Sequence, residues 1–250
     1  MFHLAAVSNV RHSWQRKRET LETNILGTFH LLEAVRKHAP GARILFVSSS
    51  DVYGADRDSA EPLGEALPPR AVDPYAYTKM CGEMLCDFYH RVEGLHVVVA
   101  RSFPHTGPGQ SPDFVCSDWA RQVARIENDI QPPTIRVGNL SVQRDFTDVR
   151  DVVRAYRLLL EKGRAGEVYN VCSGRGYPLK KILDYLLSLS RERISVEVDE
   201  TKLRKADIPV LVGDNRKIRE ELSWIPEIPL ERSLEDLLED WRSRVKAERS

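Results

Sequence analysis

The chain has few cysteines, no excess of either charge and no long apolar run. Its four cysteines show no C-x-x-C spacing, which argues against a zinc ribbon or a disulfide scaffold and predicts reduced thiols in the cytoplasm. Thirty-seven basic residues balance thirty-seven acidic ones, so we expect neither nucleic acid nor a membrane surface as a partner. No apolar run reaches the length of a membrane span and the first residues do not form a signal peptide. We expect no metal site.

A glycine-rich phosphate-binding turn is also missing, because the G-x-x-G-x-x-G spacing occurs nowhere in the sequence. What is present is an alternation of apolar runs with amphipathic stretches, the pattern of βαβ units in a parallel sheet covered by helices. The pattern predicts strands at 2–6, 43–47, 95–100, 134–137, 167–171 and 194–198, and helices at 19–38, 74–91, 113–127, 149–161, 178–189 and 230–245. The predicted fold class is therefore α/β, with a doubly wound parallel sheet.

Three side chains of matching chemistry are predicted to meet at one end of this sheet. Asp73-Pro74 is a helix-start signal, and it places Tyr75 and Lys79 four residues apart on one helix face. A lysine ammonium beside a phenol would lower the pKa of that phenol and allow proton transfer near neutral pH. Ser49 ends the preceding strand, at the edge where such sheets bind ligands. By spacing alone, the Tyr–Lys pair is more often a surface coincidence.

Four sequence motifs show that the chain resembles a known enzyme family. They are His3-Leu4-Ala5-Ala6, Asn24, Ser48-Ser49-Ser50-Asp51-Val52-Tyr53-Gly54 and Pro74-Tyr75-Ala76-Tyr77-Thr78-Lys79. In this order they resemble the extended short-chain dehydrogenase/reductases that act on nucleotide sugars. Arg101-Ser102-Phe103-Pro104-His105-Thr106-Gly107-Pro108-Gly109-Gln110, Phe114-Val115, Val137-Gly138-Asn139-Leu140 and Arg144-Asp145-Phe146-Thr147-Asp148-Val149-Arg150-Asp151 bring it closest to the GDP-4-keto-6-deoxy-mannose reductases and GDP-mannose dehydratases.

The resemblance implies a Rossmann domain with a smaller α/β substrate domain. We expect 1–104 to be the remainder of the dinucleotide-binding domain, with 140–175 returning to it, and 105–139 and 176–250 to form the substrate domain. Members of the family begin with a strand, a glycine-rich turn and a helix that holds the cofactor pyrophosphate. We therefore expect the chain to be truncated at its amino-terminal end, through a misplaced start or a shortened gene product.

The resemblance also implies catalytic, cofactor-binding and substrate-binding roles for individual residues. The catalytic residues would be Ser49, Asp51, Tyr75 and Lys79. NADP or NAD would contact Leu4, Ala5, Ala6 and Ser102 together with Tyr75 and Lys79. The substrate, a nucleotide sugar and most simply a GDP-linked hexose, would contact Ser8, Ser50, His105, Phe114, Val115, Val137, Arg144 and Arg204. Asn24 would shape its helix or a water relay.

The implied activity is NAD(P)H-dependent reduction of the 4-keto group of a GDP-4-keto-6-deoxy-hexose by a homodimeric enzyme. Asp51 stands where dehydratases usually carry a longer glutamate, which favours a reductase over a GDP-mannose 4,6-dehydratase. A nucleotide-sugar 4-epimerase remains open as well. An alternative of another class is a truncated, non-catalytic remnant that binds a nucleotide diphosphate or dimerises.

Overall fold

The computed structural model describes residues 1–54, 61–203 and 208–248. The helices in the described part are α1 (Val10–Gln15), α2 (Lys17–Leu21), α3 (Gly27–His38), α4 (Pro74–Arg91), α5 (Val115–Ile126), α6 (Val149–Lys162), α7 (Leu179–Ser188), α8 (Arg216–Leu222) and α9 (Leu230–Ala247). The strands are β1 (Phe2–His3), β2 (Arg43–Ser49), β3 (His96–Ser102), β4 (His105–Thr106), β5 (Thr134–Val137), β6 (Gln143–Arg144), β7 (Thr147–Asp148), β8 (Val168–Val171), β9 (Tyr177–Pro178), β10 (Ser195–Val198) and β11 (Val210–Leu211).

Four strands form the central sheet, in the order β1-β2-β3-β8 and all parallel. Alternate residues of β2 and β3 point to opposite faces of this sheet, as the twofold repeat of a strand requires. Ile44 and Phe46 pack with α3 and α4, whereas Leu45 packs with α6 and α8. Because helices cover both faces, the predicted α/β class with a Rossmann-like parallel sheet is confirmed.

A second hydrophobic core lies between helices α5, α7 and α9 and the strand β5. β5 pairs in parallel with β10 over its full length. The largest buried side chain of this second core is Trp119 of α5, and Trp241 of α9 packs in the same cluster. The division into a dinucleotide domain and a substrate domain agrees with these separate cores and stays a prediction.

Short strands connect the two cores. β4 pairs with β7 in parallel, β6 pairs antiparallel with β9, and β11 adds to the other edge of β6. Nothing helical among the described residues is long and apolar enough to cross a bilayer. The four cysteines are unpaired thiols.

The helix predicted at 19–38 differs from the observed one. Helical structure already begins at Val10, breaks at Arg16 and includes a π-helical segment at Glu22–Leu26 before α3. The early start follows from Asn9, whose side chain accepts a hydrogen bond from the His12 backbone N–H and so caps α1.

Candidate functional site

The site forms where the parallel strands end. Ser49, the last residue of β2, lies beside Ser102 at the end of β3, and β1 ends one residue before Leu4. Leu4 and Ala5 are exposed and Ala6 is half-buried in the segment that follows β1. The cofactor-binding residues expected from sequence therefore share the carboxyl edge of the sheet, where α/β proteins bind ligands.

Helix α4 brings Tyr75 and Lys79 to this edge. Asp73 caps the helix by accepting a hydrogen bond from the Ala76 N–H at 2.8 Å. Further along the helix, a Cβ at Gly82 would lie 2.3 Å from the Phe46 ring, so the absence of a side chain there lets α4 pack directly on β2. The cap and the close packing fix the first two turns of α4 against the strand that carries Ser49.

The Tyr75 side chain is buried, with only 8% of its surface exposed. Its phenol is hydrogen-bonded to the Ser49 side chain, and Asp51 and Tyr156 lie close enough to affect its ionisation. Ser49 also accepts a hydrogen bond from the Asp51 N–H at 3.1 Å. The structure thus joins three of the four expected catalytic residues in one polar cluster.

The expectation that Lys79 makes this phenol acidic was wrong for the chain as described. Burial raises the pKa of Tyr75 above that of free tyrosine, and the Asp51 carboxylate raises it further. The Ser49 hydrogen bond lowers the pKa but does not offset burial. Tyr75 is therefore a protonated phenol at neutral pH, and its burial makes it a weaker acid than free tyrosine.

Lys79 is itself perturbed by its surroundings. Its side chain is only 5% exposed, and burial lowers the pKa of its ammonium from 10.5 to about 8. The ammonium lies 5.9 Å from the Tyr75 ring centroid and donates to the Val47 carbonyl at 2.7 Å. No other described group accepts from it, so two of its three N–H donors are available to a ligand.

Ser50 and Asp51 begin the 3₁₀ turn that follows β2. Asp51 is half-buried, and its charge is felt at the Tyr75 phenol. The Ser50 hydroxyl is buried and has no hydrogen-bond partner in the described chain. Because a buried hydroxyl without a partner is unfavourable, it marks a position where a ligand atom would be stabilising.

Asn24 connects the segment after β1 to the catalytic helix. Its side-chain amide accepts a hydrogen bond from the Val7 N–H at 2.8 Å and donates to the Val7 carbonyl at 3.1 Å. It also donates to the Thr78 hydroxyl of α4 at 2.8 Å. The π-helical turn that contains Asn24 is common at functional sites, and here it positions the expected cofactor-binding segment.

Two groups at the site were missed by sequence reasoning. Tyr156 of α6 shares a hydrogen bond of 2.6 Å with Ser102, and burial raises the pKa of Tyr156 to about 12. Beneath Lys79, Glu83 forms a buried ion pair with Arg101 at 2.8 Å and accepts a hydrogen bond from Ser48 at 2.5 Å. A signal existed for Glu83, because it follows Lys79 by four residues on the buried face of α4.

The residues expected to bind substrate lie around the start of α5. His105 is half-buried in β4, where its Nδ1 bonds the Phe103 carbonyl and burial lowers its pKa. Phe114 is the N-cap of α5 with 37% of its surface exposed, and Val115 is partly buried.

One hydrogen bond connects this region to the segment after β1. The Asn9 amide donates to the Asp113 carbonyl at 3.3 Å, and Ser8 next to it is exposed. The expected cofactor side and the expected substrate side therefore adjoin.

The three other residues expected to bind substrate are Val137, Arg144 and Arg204, and they differ in their surroundings. Val137 is fully buried in the second core, so the expected contact of its side chain with the substrate is not formed in this packing. Arg144 is largely buried and donates to the Gln143 and Ile208 carbonyls at 2.8 and 2.6 Å. Arg204 lies outside the described residues.

The aspartates that follow Arg144 have structural roles. Asp145 accepts hydrogen bonds from the backbone N–H groups of Ser173, Gly174 and Gly213. Asp148 caps α6 by accepting from the Arg150 N–H. These carboxylates hold loops around Arg144 and leave the chemistry to other groups.

Comparison with known proteins identifies the family. The family model described as GDP-mannose 4,6 dehydratase matches residues 1–237. The chain belongs to that family. The GDP-6-deoxy-D-mannose reductase of Pseudomonas aeruginosa is 38% identical to this family member, over 99% of this chain and 82% of the reductase. The GDP-mannose 4,6 dehydratase 2 of Arabidopsis thaliana is 28% identical, over 100% of this chain and 67% of the relative.

A solved structure extends the likeness to three dimensions. The structure of RMD from Pseudomonas aeruginosa complexed with NADPH superposes on this dehydratase-family chain with a TM-score of 0.91. It is 38% identical, and the match covers 97% of this chain and 81% of that one. The resemblance to nucleotide-sugar enzymes of the short-chain dehydrogenase/reductase type is confirmed, and the chain is a member of an enzyme family.

Proposed function

We propose that the chain catalyses NADPH-dependent reduction of the 4-keto group of a GDP-linked 4-keto-6-deoxy-hexose. The observation that carries the proposal is the protonated Tyr75 phenol, buried beside Ser49. Reduction of a ketone needs a proton donor at the carbonyl oxygen, whereas dehydratases and 4-epimerases begin by removing a proton from the hexose hydroxyl. The buried Tyr75 phenol beside Ser49 supplies such a donor, and the 38% identity to a GDP-6-deoxy-D-mannose reductase supports the reductive direction.

The residues at the edge of the sheet fit the nicotinamide and its ribose, whereas the sequence has no G-x-x-G-x-x-G turn for the pyrophosphate. The two unused N–H donors of Lys79 suit the hydroxyls of a ribose. The exposed Leu4 and Ala5 offer an apolar surface after β1. When bound, NADPH supplies the hydride that is added to the keto carbon.

The chain's own groups would then control the proton. Ser49 orients the keto oxygen by a hydrogen bond, and Tyr75 donates its phenolic proton to that oxygen as negative charge develops on it. The unpartnered Ser50 hydroxyl provides a contact for the sugar beside the reacting carbon.

A pair of tyrosine variants tests this assignment. Tyr75→Phe removes the proton donor, so the rate of NADPH oxidation with GDP-4-keto-6-deoxy-mannose should fall by about 10²- to 10⁴-fold. Tyr77→Phe is the matched control because Tyr77 lies on the same helix with half of its surface exposed. It should keep the wild-type rate. Equal rates for the two variants would contradict the assignment.

Binding measurements separate the reductase from the non-catalytic alternative. The chain is titrated with NADPH and with GDP in separate calorimetry experiments. We expect both to bind. Binding of GDP alone would instead favour a protein that holds the nucleotide without transferring hydride.

We further propose a homodimer formed through α3 and α4, which pack against each other. Met84 and Phe88 of α4 and its C-cap residue Val92 are exposed, apolar and four positions apart, so they share one face. The exposed residues of this face and its neighbour are Leu26, Phe29, Met84, Phe88 and Val92. Light scattering should give twice the chain mass for the wild type and for Ile225→Asp, a control at another exposed apolar site. Phe88→Asp should give the monomer, and an unchanged mass would contradict the proposed interface.

A cytoplasmic location also belongs to this proposal. The four cysteines are free thiols in the structure, as expected of a reducing compartment.

A further inference from the structure

Lys79 is a buried cation, and a buried carboxylate lies one turn further along its own helix. Glu83 follows Lys79 by four positions, the spacing at which two side chains of a helix meet. Opposite charges this close in a protein interior are expected to pair, because an unpaired buried charge is unfavourable. In the described part of the chain, however, the Lys79 ammonium donates only to the Val47 carbonyl and forms no ion pair.

Both oxygens of the Glu83 carboxylate are occupied by donors from the sheet. Arg101 binds them as a fork, with Nε donating to Oε1 at 3.0 Å and Nη2 donating to Oε2 at 2.8 Å. The Ser48 hydroxyl donates to Oε1 at 2.5 Å. A two-point bond between guanidinium and carboxylate is stronger and more directional than the bond that an ammonium can form. Glu83 is therefore held by Arg101 and not by Lys79.

The register of the sheet places these two donors side by side. Ser48 of β2 and Arg101 of β3 are paired positions, so their side chains lie on the same face of the sheet, toward α4. Arg101 is held in turn by two other contacts. Its guanidinium carbon lies 4.9 Å from the centroid of the Tyr53 ring, and its Nη1 donates to the Glu65 carbonyl at 3.3 Å. The fork of the guanidinium is thus fixed toward the helix that carries the lysine.

We propose that Arg101 is a positioning residue for the reaction, because it keeps the Glu83 carboxylate from pairing with Lys79. The Lys79 ammonium thereby retains two N–H donors for a ligand at the carboxyl edge of the sheet. An ion pair with Glu83 would take up at least one of these donors and fix the ammonium against the sheet. This inference rests on the proposed function, because it assumes that Lys79 contacts the bound dinucleotide.

The ionisation of Lys79 reports on this arrangement. In the described chain, the ionisable groups that face Lys79 besides Glu83 are Tyr75 and Cys86 of α4 and His3 of β1. Burial keeps these three uncharged at neutral pH, since it raises the pKa of Tyr75 and of Cys86 and lowers the pKa of His3. Glu83 is therefore the anion whose release would raise the pKa of Lys79.

An NMR titration of the whole chain, with lysine labelled by ¹³C at the ε carbon, measures this pKa. Lys79→Met identifies the signal of Lys79. We expect a pKa of about 8 in the wild type. Arg101→Met frees the Glu83 carboxylate, so the pKa of Lys79 should rise by about 1 or more. Arg101→Lys keeps the cation and should restore most of the wild-type value. An unchanged pKa in folded Arg101→Met would overturn the inference.

Two further variants separate this effect from a general loss of stability. Arg101→Met combined with Glu83→Gln leaves no unpaired buried charge, and it should return the pKa of Lys79 close to the wild-type value. Arg242→Met is the matched control, since it breaks a largely buried ion pair with Glu127 in the second core and should leave the pKa of Lys79 unchanged. Should Arg101→Met not fold, the wild type still decides, because a Lys79 pKa near 10.5 would show that the ammonium already has an anionic partner and would overturn the inference.

Binding of NADPH tests the consequence for the reaction. Folded Arg101→Met should bind NADPH about tenfold more weakly than Arg242→Met, since Lys79 then lacks a donor for the ligand. Equal affinities of the two variants would overturn the positioning role and leave the proposed reduction intact. A wild type that does not bind NADPH would contradict the proposed reduction, and the NMR titration would still decide whether Arg101 keeps Glu83 from Lys79.

Discussion

Replacing the buried lysine of the site should stabilise the protein while abolishing its activity. The pKa of Lys79 falls from 10.5 to about 8 on burial, which corresponds to about 3 kcal/mol of unfavourable folding free energy when the group is charged. Lys79→Met removes this penalty. It also removes the hydrogen bond to the Val47 carbonyl, worth about 1 kcal/mol. At pH 7 the variant should therefore be about 2 kcal/mol more stable than the wild type.

The dependence on pH provides the sharper test of this reasoning. Between the two pKa values, the unfolded lysine binds a proton that the folded lysine does not, so wild-type stability rises as the pH increases from about 8 to 10.5. The advantage of Lys79→Met should consequently disappear near pH 10. Urea unfolding at pH 7 and pH 10 measures the change, with Lys181→Met on the exposed side of α7 as a control. A variant less stable than the wild type at pH 7, or a difference that does not vary with pH, would refute the reasoning.

Three further predictions concern the packing that holds the site, and urea unfolding measures all of them. Glu83→Ala leaves the buried Arg101 charge unpaired and should lower the free energy of unfolding by about 3 to 5 kcal/mol; a loss below 1 kcal/mol would contradict the buried pair. Gly82→Ala forces a methyl group against the Phe46 ring and should lower it by about 1 to 3 kcal/mol, whereas a neutral effect would mean that α4 can shift freely. Asp73→Ala removes the cap of α4 and should lower it by about 1 kcal/mol, while Asp73→Asn, which keeps the acceptor, should restore most of the loss.

Local sequence signals predicted the catalytic helix well. Asp73-Pro74 specifies the start of α4 through interactions within a few residues, and the observed helix runs from Pro74 to Arg91. α8 was not predicted, because it is short, mostly charged and buries only Ile218. The π-helical turn around Asn24 was also missed, since its partners lie in other segments of the chain.

In the site, too, local features could be predicted from the sequence, whereas features that depend on distant contacts could not. Ser49, Tyr75 and Lys79 could be proposed from the ends of predicted elements, where residue type and position are both visible. The pKa of Tyr75 could not be predicted, because burial and the Asp51 charge depend on packing between elements.

The position of the transferred hydride shows whether the chain reduces the 4-keto group. The chain is incubated with GDP-4-keto-6-deoxy-mannose and NADPH that carries deuterium at the transferable position of the nicotinamide, and the product is examined by NMR. We expect one deuterium at C4 of a GDP-linked 6-deoxy-hexose, with one equivalent of the dinucleotide oxidised. Deuterium at another carbon, or turnover of GDP-mannose without net oxidation of the dinucleotide, would contradict it.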